Sequence, residues 1–258
     1  MMNLIRMDLY RLQRSTAFKV CVVLAVVFAL AIVPFDYLMT LLANMIVSDD
    51  KVTQFNKVRQ LSSFLRDPFP FVNAMLAMIS VSSFFYADIE FGYVKNIAGQ
   101  MPKKGFAVLS KYTATFVHNL LFMLIGVVFS LLGALPFVTI ATTQSVGSAL
   151  AVFAVKFLLM QACCALLIWF VVGLRSKSLG TTFSVLMGTG LLMLLYLGID
   201  AGINKLFSLK DFTVTDYMPD QLLNTSNPDA VTSIVVSAVF IALFVFLTVR
   251  MFDRRDVK

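Results

Sequence analysis

Residues 112–155 read YTATFVHNLLFMLIGVVFSLLGALPFVTIATTQSVGSALAVFAV and contain no Asp, Glu, Lys or Arg. A charge-free run of about 20 residues can cross roughly 30 Å of hydrocarbon as a helix. These 44 residues are therefore too many for one crossing. Pro136 and the polar residues after it divide the stretch, which predicts one span at about 112–135 and another at about 149–173.

Four further apolar stretches repeat this pattern. Pro34 and Asp36 predict a kink near the far end of the first of them. The fold class is therefore all-α, an integral membrane bundle of six transmembrane helices, and residues 1–258 form a single transmembrane domain. The four additional spans are predicted at about 18–47, 69–87, 179–199 and 230–251.

Composition supports a lipid environment and argues against nucleic acid as a partner. The chain is 59% apolar and 14% charged, whereas a soluble domain carries about a quarter charged residues. The net charge of +7 comes from short loops and chain ends, a pattern that suits anionic membrane lipid better than nucleic acid. Cys21, Cys163 and Cys164 lie in apolar segments and are expected to be small buried hydrophobic residues.

The basic residues also predict the orientation. If residue 1 is cytoplasmic, most of the 21 lysines and arginines fall in cytoplasmic segments, as the positive-inside rule requires. We therefore expect a multi-pass membrane protein with both termini in the cytoplasm. The first outer loop departs from the rule, since it carries Lys51, Lys57, Arg59 and Arg66.

Residues 1–18 form an amphipathic pattern. Met2, Ile5, Leu9 and Leu12 recur at helical spacing, so one face is apolar and the opposite face is polar. Such a helix lies in the headgroup plane. The alternative is a simple basic anchor before the first span.

Enzyme chemistry has little support in the sequence. No phosphate-binding loop of the form G-x-x-x-x-G-K-[ST] is present. A single histidine excludes a two-histidine metal motif, and no paired carboxylates occur within the spans. We expect no catalytic residue, no metal site and no cofactor bound by this chain.

Two ionisable residues fall inside predicted spans. Lys156 could contact a substrate or counter-ion, but we expect its long side chain to reach the outer interface. His118 could relay protons, but we expect a neutral, hydrogen-bonded packing residue.

Small and polar residues mark two helix faces. Gly180, Ser184 and Gly188 recur every four residues, which predicts close helix packing in lipid without naming the partner helix. A polar fringe on the second and fifth spans could line a transport pathway or bond to backbone carbonyls. Its pathway candidates are Ser80, Ser82, Ser83, Thr182 and Thr189.

The predicted loop at 88–111 contains the most distinctive group of candidate functional residues. Ile89, Tyr93, Ile97 and Met101 follow at i+4 spacing, so a short helix would present one apolar ridge, and Pro102 would end it. A cytoplasmic helix of this kind suits docking into the groove of a partner. A helix lying on the lipid surface is the alternative.

The chain resembles the permeases of bacterial ABC transporters of the type-2 exporter class. The resemblance is carried by MNLIRMDLYRL at 2–12, by DIEFGYVKNI at 88–97, and by Lys104 and Ser110–Lys111 downstream. It is greatest to the compact six-span subunits of peptide, lantibiotic-immunity and drug exporters.

The resemblance implies a coupling helix in the loop after the second span, seated on a separate ATPase subunit. Two ATPase subunits, which hold ATP and Mg²⁺, and a second permease, identical or homologous, would complete the transporter. It would export a peptide, such as an antimicrobial peptide, or an amphipathic compound by alternating access. The implied ATPase-coupling residues are Asp88, Glu90, Gly92, Tyr93, Lys95 and Asn96.

Two other classes of function stay open. An ion- or proton-coupled carrier would need ionisable groups near mid-membrane and repeat symmetry, and only His118 and Lys156 are available. A non-transporting membrane scaffold or sensor subunit is the third possibility. An ATPase found with the chain would distinguish the exporter from both.

Overall fold

The computed structural model describes residues 2–46, 57–69, 72–92, 105–142, 145–207 and 213–254. These residues form ten α-helices, two short strands and one 3-10 turn at Thr215–Tyr217. The strands are β1 (Val58–Gln60) and β2 (Thr139–Ala141). The helices are α1 (Met2–Arg14), α2 (Thr16–Ile46), α3 (Leu61–Arg66), α4 (Asn73–Glu90), α5 (Gly105–Ala134), α6 (Val146–Leu174), α7 (Lys177–Gly188), α8 (Met193–Phe207), α9 (Pro219–Asn224) and α10 (Ala230–Arg254).

Four helices of the described chain, α2, α5, α6 and α10, are long and apolar enough to cross a membrane. The bent pair α7 and α8 gives a fifth crossing if it counts as one span. The chain is thus an all-helical bundle of the multi-pass membrane type. The predicted number of six would also need α4, which has only 18 residues and includes Asn73, Asp88 and Glu90. Six spans therefore stay a prediction.

The span predicted at 179–199 corresponds to two helices and not to one straight helix. α7 ends at Gly188, α8 begins at Met193, and the two helices meet at 79°. Gly190 lies between them with a φ of +73°, a conformation that glycine adopts without steric cost and that cannot continue a right-handed helix. The apolar composition persists through the break, which is why the sequence reads as one span.

α6 lies at the centre of the bundle. In its most apolar window 61% of residues are buried, compared with 17% in α10. α6 packs along α10, α2 along α5, and α4 along α7. The large apolar side chains left exposed on α2 and α10 suit contact with lipid tails, which solvate them as well as protein does. The three cysteines are buried free thiols, as predicted.

A small parallel sheet is the main departure from the all-helical prediction. β1 pairs with β2, and Val58 lies opposite Thr139. These residues were expected to belong to polar loops. Thr139 and Ile140 are β-branched and follow the end of α5 closely, so they favour extended backbone. Runs of three residues are too short for hydrophobic periodicity to identify.

One other boundary differs from expectation. α2 continues through Pro34 as one helix to Ile46, and the kink predicted there stays a prediction. α5 begins at Gly105, so the end of the predicted loop at 88–111 is helical. The predicted coupling helix falls mostly on residues 93–104, outside the described residues.

Candidate functional site

The amphipathic helix α1 is separated from α2 at Ser15. The Phe18 amide donates a hydrogen bond to Ser15 Oγ at 3.2 Å, which caps the new helix at its first turn. α1 packs against α5. Asp8 and Leu12 are both buried, because residues four apart share one helix face.

Asp88, close to the end of α4, is the centre of a buried ion-pair network. Arg11 Nη2 donates to Asp88 Oδ1 at 2.7 Å, and Lys111 Nζ pairs with the other carboxylate oxygen. Lys111 Nζ also lies 4.6 Å from the centroid of the Phe84 ring, within cation–π range. Three helices, α1, α4 and α5, therefore meet at one carboxylate.

Asp8 extends the network on the α1 side. Ser110 Oγ donates to Asp8 Oδ2 at 2.6 Å, and Arg11 Nη1 lies 3.8 Å from Asp8 Oδ1. Burial raises the pKa of Asp8 above its ordinary value, and the Ser110 hydroxyl, Lys111 and Arg11 oppose this rise. The two carboxylates and two cations balance in formal charge, which is the condition for retaining buried charges. We call Asp8, Arg11, Asp88, Ser110 and Lys111 the root network.

A second contact fixes the beginning of α5. The Gly105 amide donates to Asp253 Oδ1 at 2.8 Å, which joins α5 to the last turn of α10. A Cβ added at Gly105 would lie 2.6 Å from Val249 Cγ1, so the two backbones approach closely. The described chain ends at Gly92, four residues after Asp88, and resumes at Gly105, which makes the Asp253 contact.

The structure separates the predicted coupling residues. Asp88 is only 3% exposed and faces Arg11 and Lys111, whereas Glu90 is exposed. Gly92 has a φ of +61° and follows the last turn of α4, a position where glycine commonly ends a helix. Tyr93, Lys95 and Asn96 lie outside the described residues. The coupling role of all six stays a prediction.

The pathway candidates do not share one surface. Ser80 is buried and lies 3.1 Å from His118 Nε2, and Ser82 is buried and donates to the Ile79 carbonyl. Ser83 is half-buried, Thr182 is exposed on α7, and Thr189 is exposed immediately after α7 ends. The Thr189 hydroxyl donates to the Val185 carbonyl at 2.7 Å, so Ser80, Ser82 and Thr189 all bond inside the chain.

The small-residue face of α7 lies against α4 and, at its N-terminal end, also against α6. A Cβ added at Gly188 would be 2.4 Å from Met75 Cα of α4, whereas one at Gly180 would be 2.8 Å from Val171 Cγ2 of α6 and 3.7 Å from Ser82 Cβ of α4. Ser184 is fully buried between the two glycines and donates to the Gly180 carbonyl at 2.8 Å. The sequence pattern did not name the partner helix, and the structure places α4 along this face and α6 beside Gly180.

The two ionisable residues within spans are both enclosed. His118 is buried, with Nδ1 3.0 Å from Asn119 Oδ1, which agrees with a hydrogen-bonded packing residue. Lys156 reaches Asp67, an exposed residue at the end of α3, and its extension to the membrane interface stays a prediction. It is 2% exposed, and its Nζ lies 3.6 Å from Asp67 Oδ1.

Asp8, Arg11 and Lys111 stand in the motifs that carry the family resemblance, but the sequence alone predicts no functional role for them. One signal was available: Asp8 falls between Ile5 and Leu12 on the apolar face of α1, where a lone charge needs a buried partner. The partner itself is about 100 residues away, so no local pattern identifies it. In the described part of the chain, no group of three or more His, Cys, Asp or Glu residues could hold a metal.

Comparison with known proteins adds no assignment. No family model matches this chain, and no curated protein matches it.

Proposed function

We propose that this chain is the permease subunit of an ATP-driven ABC exporter, with both termini in the cytoplasm. It would span the membrane six times, and α1 would lie in the headgroup plane. It would move a peptide or an amphipathic compound outward while separate ATPase subunits hydrolyse ATP. The observation that carries the proposal is the root network, which connects the candidate coupling segment to three helices.

The root network supports force transmission because it consists of buried ion pairs between side chains of different helices. Removing one partner of a buried ion pair typically costs 3–5 kcal/mol, since the other charge is left unpaired. A displacement of segment 93–104 would therefore move α4 and α5 together with α1, in preference to breaking the pairs.

The contact between Gly105 and Asp253 supports the same mechanism from the other end of the segment. It joins α5 to α10, and α10 packs along the central α6. A displacement of residues 93–104 would be transmitted through α5 and α10 to the central helix α6. Closure of two ATPase subunits could then tilt the helices as rigid bodies and alternate access between the two sides of the membrane.

The decisive test is a site-specific cross-link. A photoreactive residue replaces Lys95 in the full chain, and a matched variant carries it at Arg59, in the strand β1. After irradiation of intact cells, we expect the Lys95 variant, and not the Arg59 variant, to capture a protein with a phosphate-binding loop.

Two results would contradict the proposal. One is labelling of a Lys95→Cys variant by a membrane-impermeant thiol reagent added outside the cell. The other is ATP hydrolysis by the purified chain alone.

A further inference from the structure

A cavity of about 310 Å³ lies beside α3, and none of its lining residues belongs to the root network. Its walls come from five segments: α2, β1, α3, α5 and the stretch before α10. The volume is at the lower end of the range for small-molecule sites, roughly 300–1,000 Å³. It is large enough for the polar head of an amphiphile.

Arg66 supplies uncompensated positive charge at this cavity. In the described part of the chain its hydrogen bonds reach only neutral oxygens, Ser148 Oγ at 3.3 Å and Asn227 Oδ1 at 3.5 Å. Its Nε is buried and has no hydrogen-bond partner there. A guanidinium presents a planar fork of donors that matches carboxylate and phosphate oxygens.

The other charges around the cavity are already paired. Arg59 pairs with Asp36, and Asp67 pairs with the buried Lys156. Each of these two pairs is neutral, so Arg66 leaves the described surroundings with one positive charge in excess. A neutral or cationic ligand would leave the positive charge of Arg66 without a counter-charge.

The remaining walls fix the rest of the ligand. The lining combines the buried apolar residues Val33 and Phe64 with the polar residues Ser63, Ser226 and Asn227. A ligand with an anionic head beside an apolar part would find a partner for each part. This division into a few polar groups and an apolar wall is typical of small-molecule sites.

We propose that this cavity binds the oxyanion head of an amphiphile, a carboxylate or a phosphate ester, with Arg66 as the principal contact. The site rests on the geometry of the cavity and not on the proposed export function. Two sources could supply this chemistry: the phosphate of a membrane lipid headgroup, or the carboxylate of an amphipathic compound.

The test measures binding to the full chain purified in a neutral maltoside detergent. The probes are dihexanoyl phosphatidylglycerol, decanoate and, as the uncharged control, dihexanoylglycerol, each followed by titration calorimetry. We expect saturable binding of at least one anionic probe and binding at least tenfold weaker for dihexanoylglycerol. Binding of the lipid alone assigns the head to phosphate, binding of decanoate alone assigns it to carboxylate, and binding of both supports a shared oxyanion site.

Variants locate the site. Arg66→Gln should raise the Kd of the bound probe at least tenfold, and Arg66→Lys should raise it less. Arg6→Gln, the same charge change at an exposed position of α1, should leave the Kd within twofold. Ser226→Trp keeps every charge but fills the cavity, and should abolish binding even if Arg66→Gln folds poorly.

The proposal is overturned if neither anionic probe saturates. It is also overturned if Arg66→Gln and Arg6→Gln change the Kd equally, or if Ser226→Trp binds like the unaltered chain.

Discussion

The guanidinium of Arg11 lies 2.7 Å from the carboxylate of Asp88, although the two residues are 77 positions apart in the chain. This contact ties an amphipathic helix to the base of α4. It makes the charge of Asp88 a structural requirement, because Arg11 and Lys111 both depend on it.

Asp88→Asn should lower the thermal unfolding midpoint of the detergent-solubilised protein strongly. The amide leaves Arg11 and Lys111 with Asp8 as their one remaining counter-charge in the root network, and a loss of about 3–5 kcal/mol is expected for a broken buried pair. Glu90→Gln is the matched control: it is the same chemical change two residues away, on an exposed side chain. Equal midpoints for the two variants would show that the root network contributes little to stability.

Gly188→Ala should destabilise the bundle. The new Cβ would lie 2.4 Å from Met75 Cα, so α7 and α4 must move apart and lose close packing. Gly202→Ala is the control, since its Cβ meets nothing within 4 Å and alanine favours a helix over glycine by about 1 kcal/mol. Unfolding midpoints should therefore shift in opposite directions. A tolerated Gly188→Leu variant would contradict the close approach.

Asp67→Asn should be more damaging than Lys156→Met. Asp67 is 66% exposed on its side chain, while Lys156 is 3% exposed. Removing the aspartate leaves a buried ammonium without its partner, whereas removing the lysine leaves a hydrated carboxylate. Thermal unfolding of both variants tests this asymmetry, and equal losses would mean that the pair does not compensate a buried charge.

Two aspartates outside the spans should give stability profiles of opposite sign with pH. Burial raises the pKa of Asp220, although Gln221 and Tyr196 donate to it. Its folded form holds a proton more tightly than its unfolded form, so stability present below pH 3.8 is lost as pH rises through the raised pKa. Asp220→Asn should reduce that decline.

Asp229 should behave in the opposite way. The Thr232 hydroxyl and amide lower its pKa, so its contribution is present above pH 3.8 and lost as pH falls through the lowered pKa. Asp229→Asn should remove part of the acid-side loss. Unfolding midpoints measured from about pH 3 to 7 check both variants, and profiles that shift in the same direction would refute the assignment.

Gly92→Ala should impair export while leaving membrane insertion intact. Its φ of +61° costs an L residue roughly 1–2 kcal/mol, which would shift the beginning of segment 93–104 relative to α4. Gly198→Ala is the control, because nothing lies within 4 Å of its Cβ. Nucleotide-driven transport by the reconstituted complex provides the readout. Unchanged turnover with normal ATPase binding would argue against a coupling role for this position.

The apolar helices could be predicted because hydrophobic length is a local property of the sequence. The ends of α2 and α6 fall within about three residues of the predicted spans. The break at Gly190 was missed because the segment stays free of charge through Gly188, Thr189 and Gly190, although two closely spaced glycines are a helix-breaking signal. The strand pairing of Val58 with Thr139 joins distant segments, and no periodic pattern reports such a contact.

The candidate site was predictable only in part. The motif around Asp88 contains the residue at the centre of the root network. Whether the Asp88 side chain is exposed or buried depends on Arg11 and Lys111, which lie elsewhere in the chain. A carboxylate on a loop and a carboxylate inside an ion-pair network look identical in sequence. The same holds for Lys156, whose depth could be estimated but whose partner Asp67 could not.

The separation of α1 from α2 at Ser15 has a consequence for the order in which the protein folds during synthesis. α1 ends at Arg14, but two residues of the root network are synthesised about 100 residues later. Ser110 donates to Asp8 of α1, and Lys111 pairs with Asp88. At ribosomal rates this interval is about 5–20 s. Until then α1 lacks these partners, so the order of synthesis makes its docking against α5 one of the late steps of assembly.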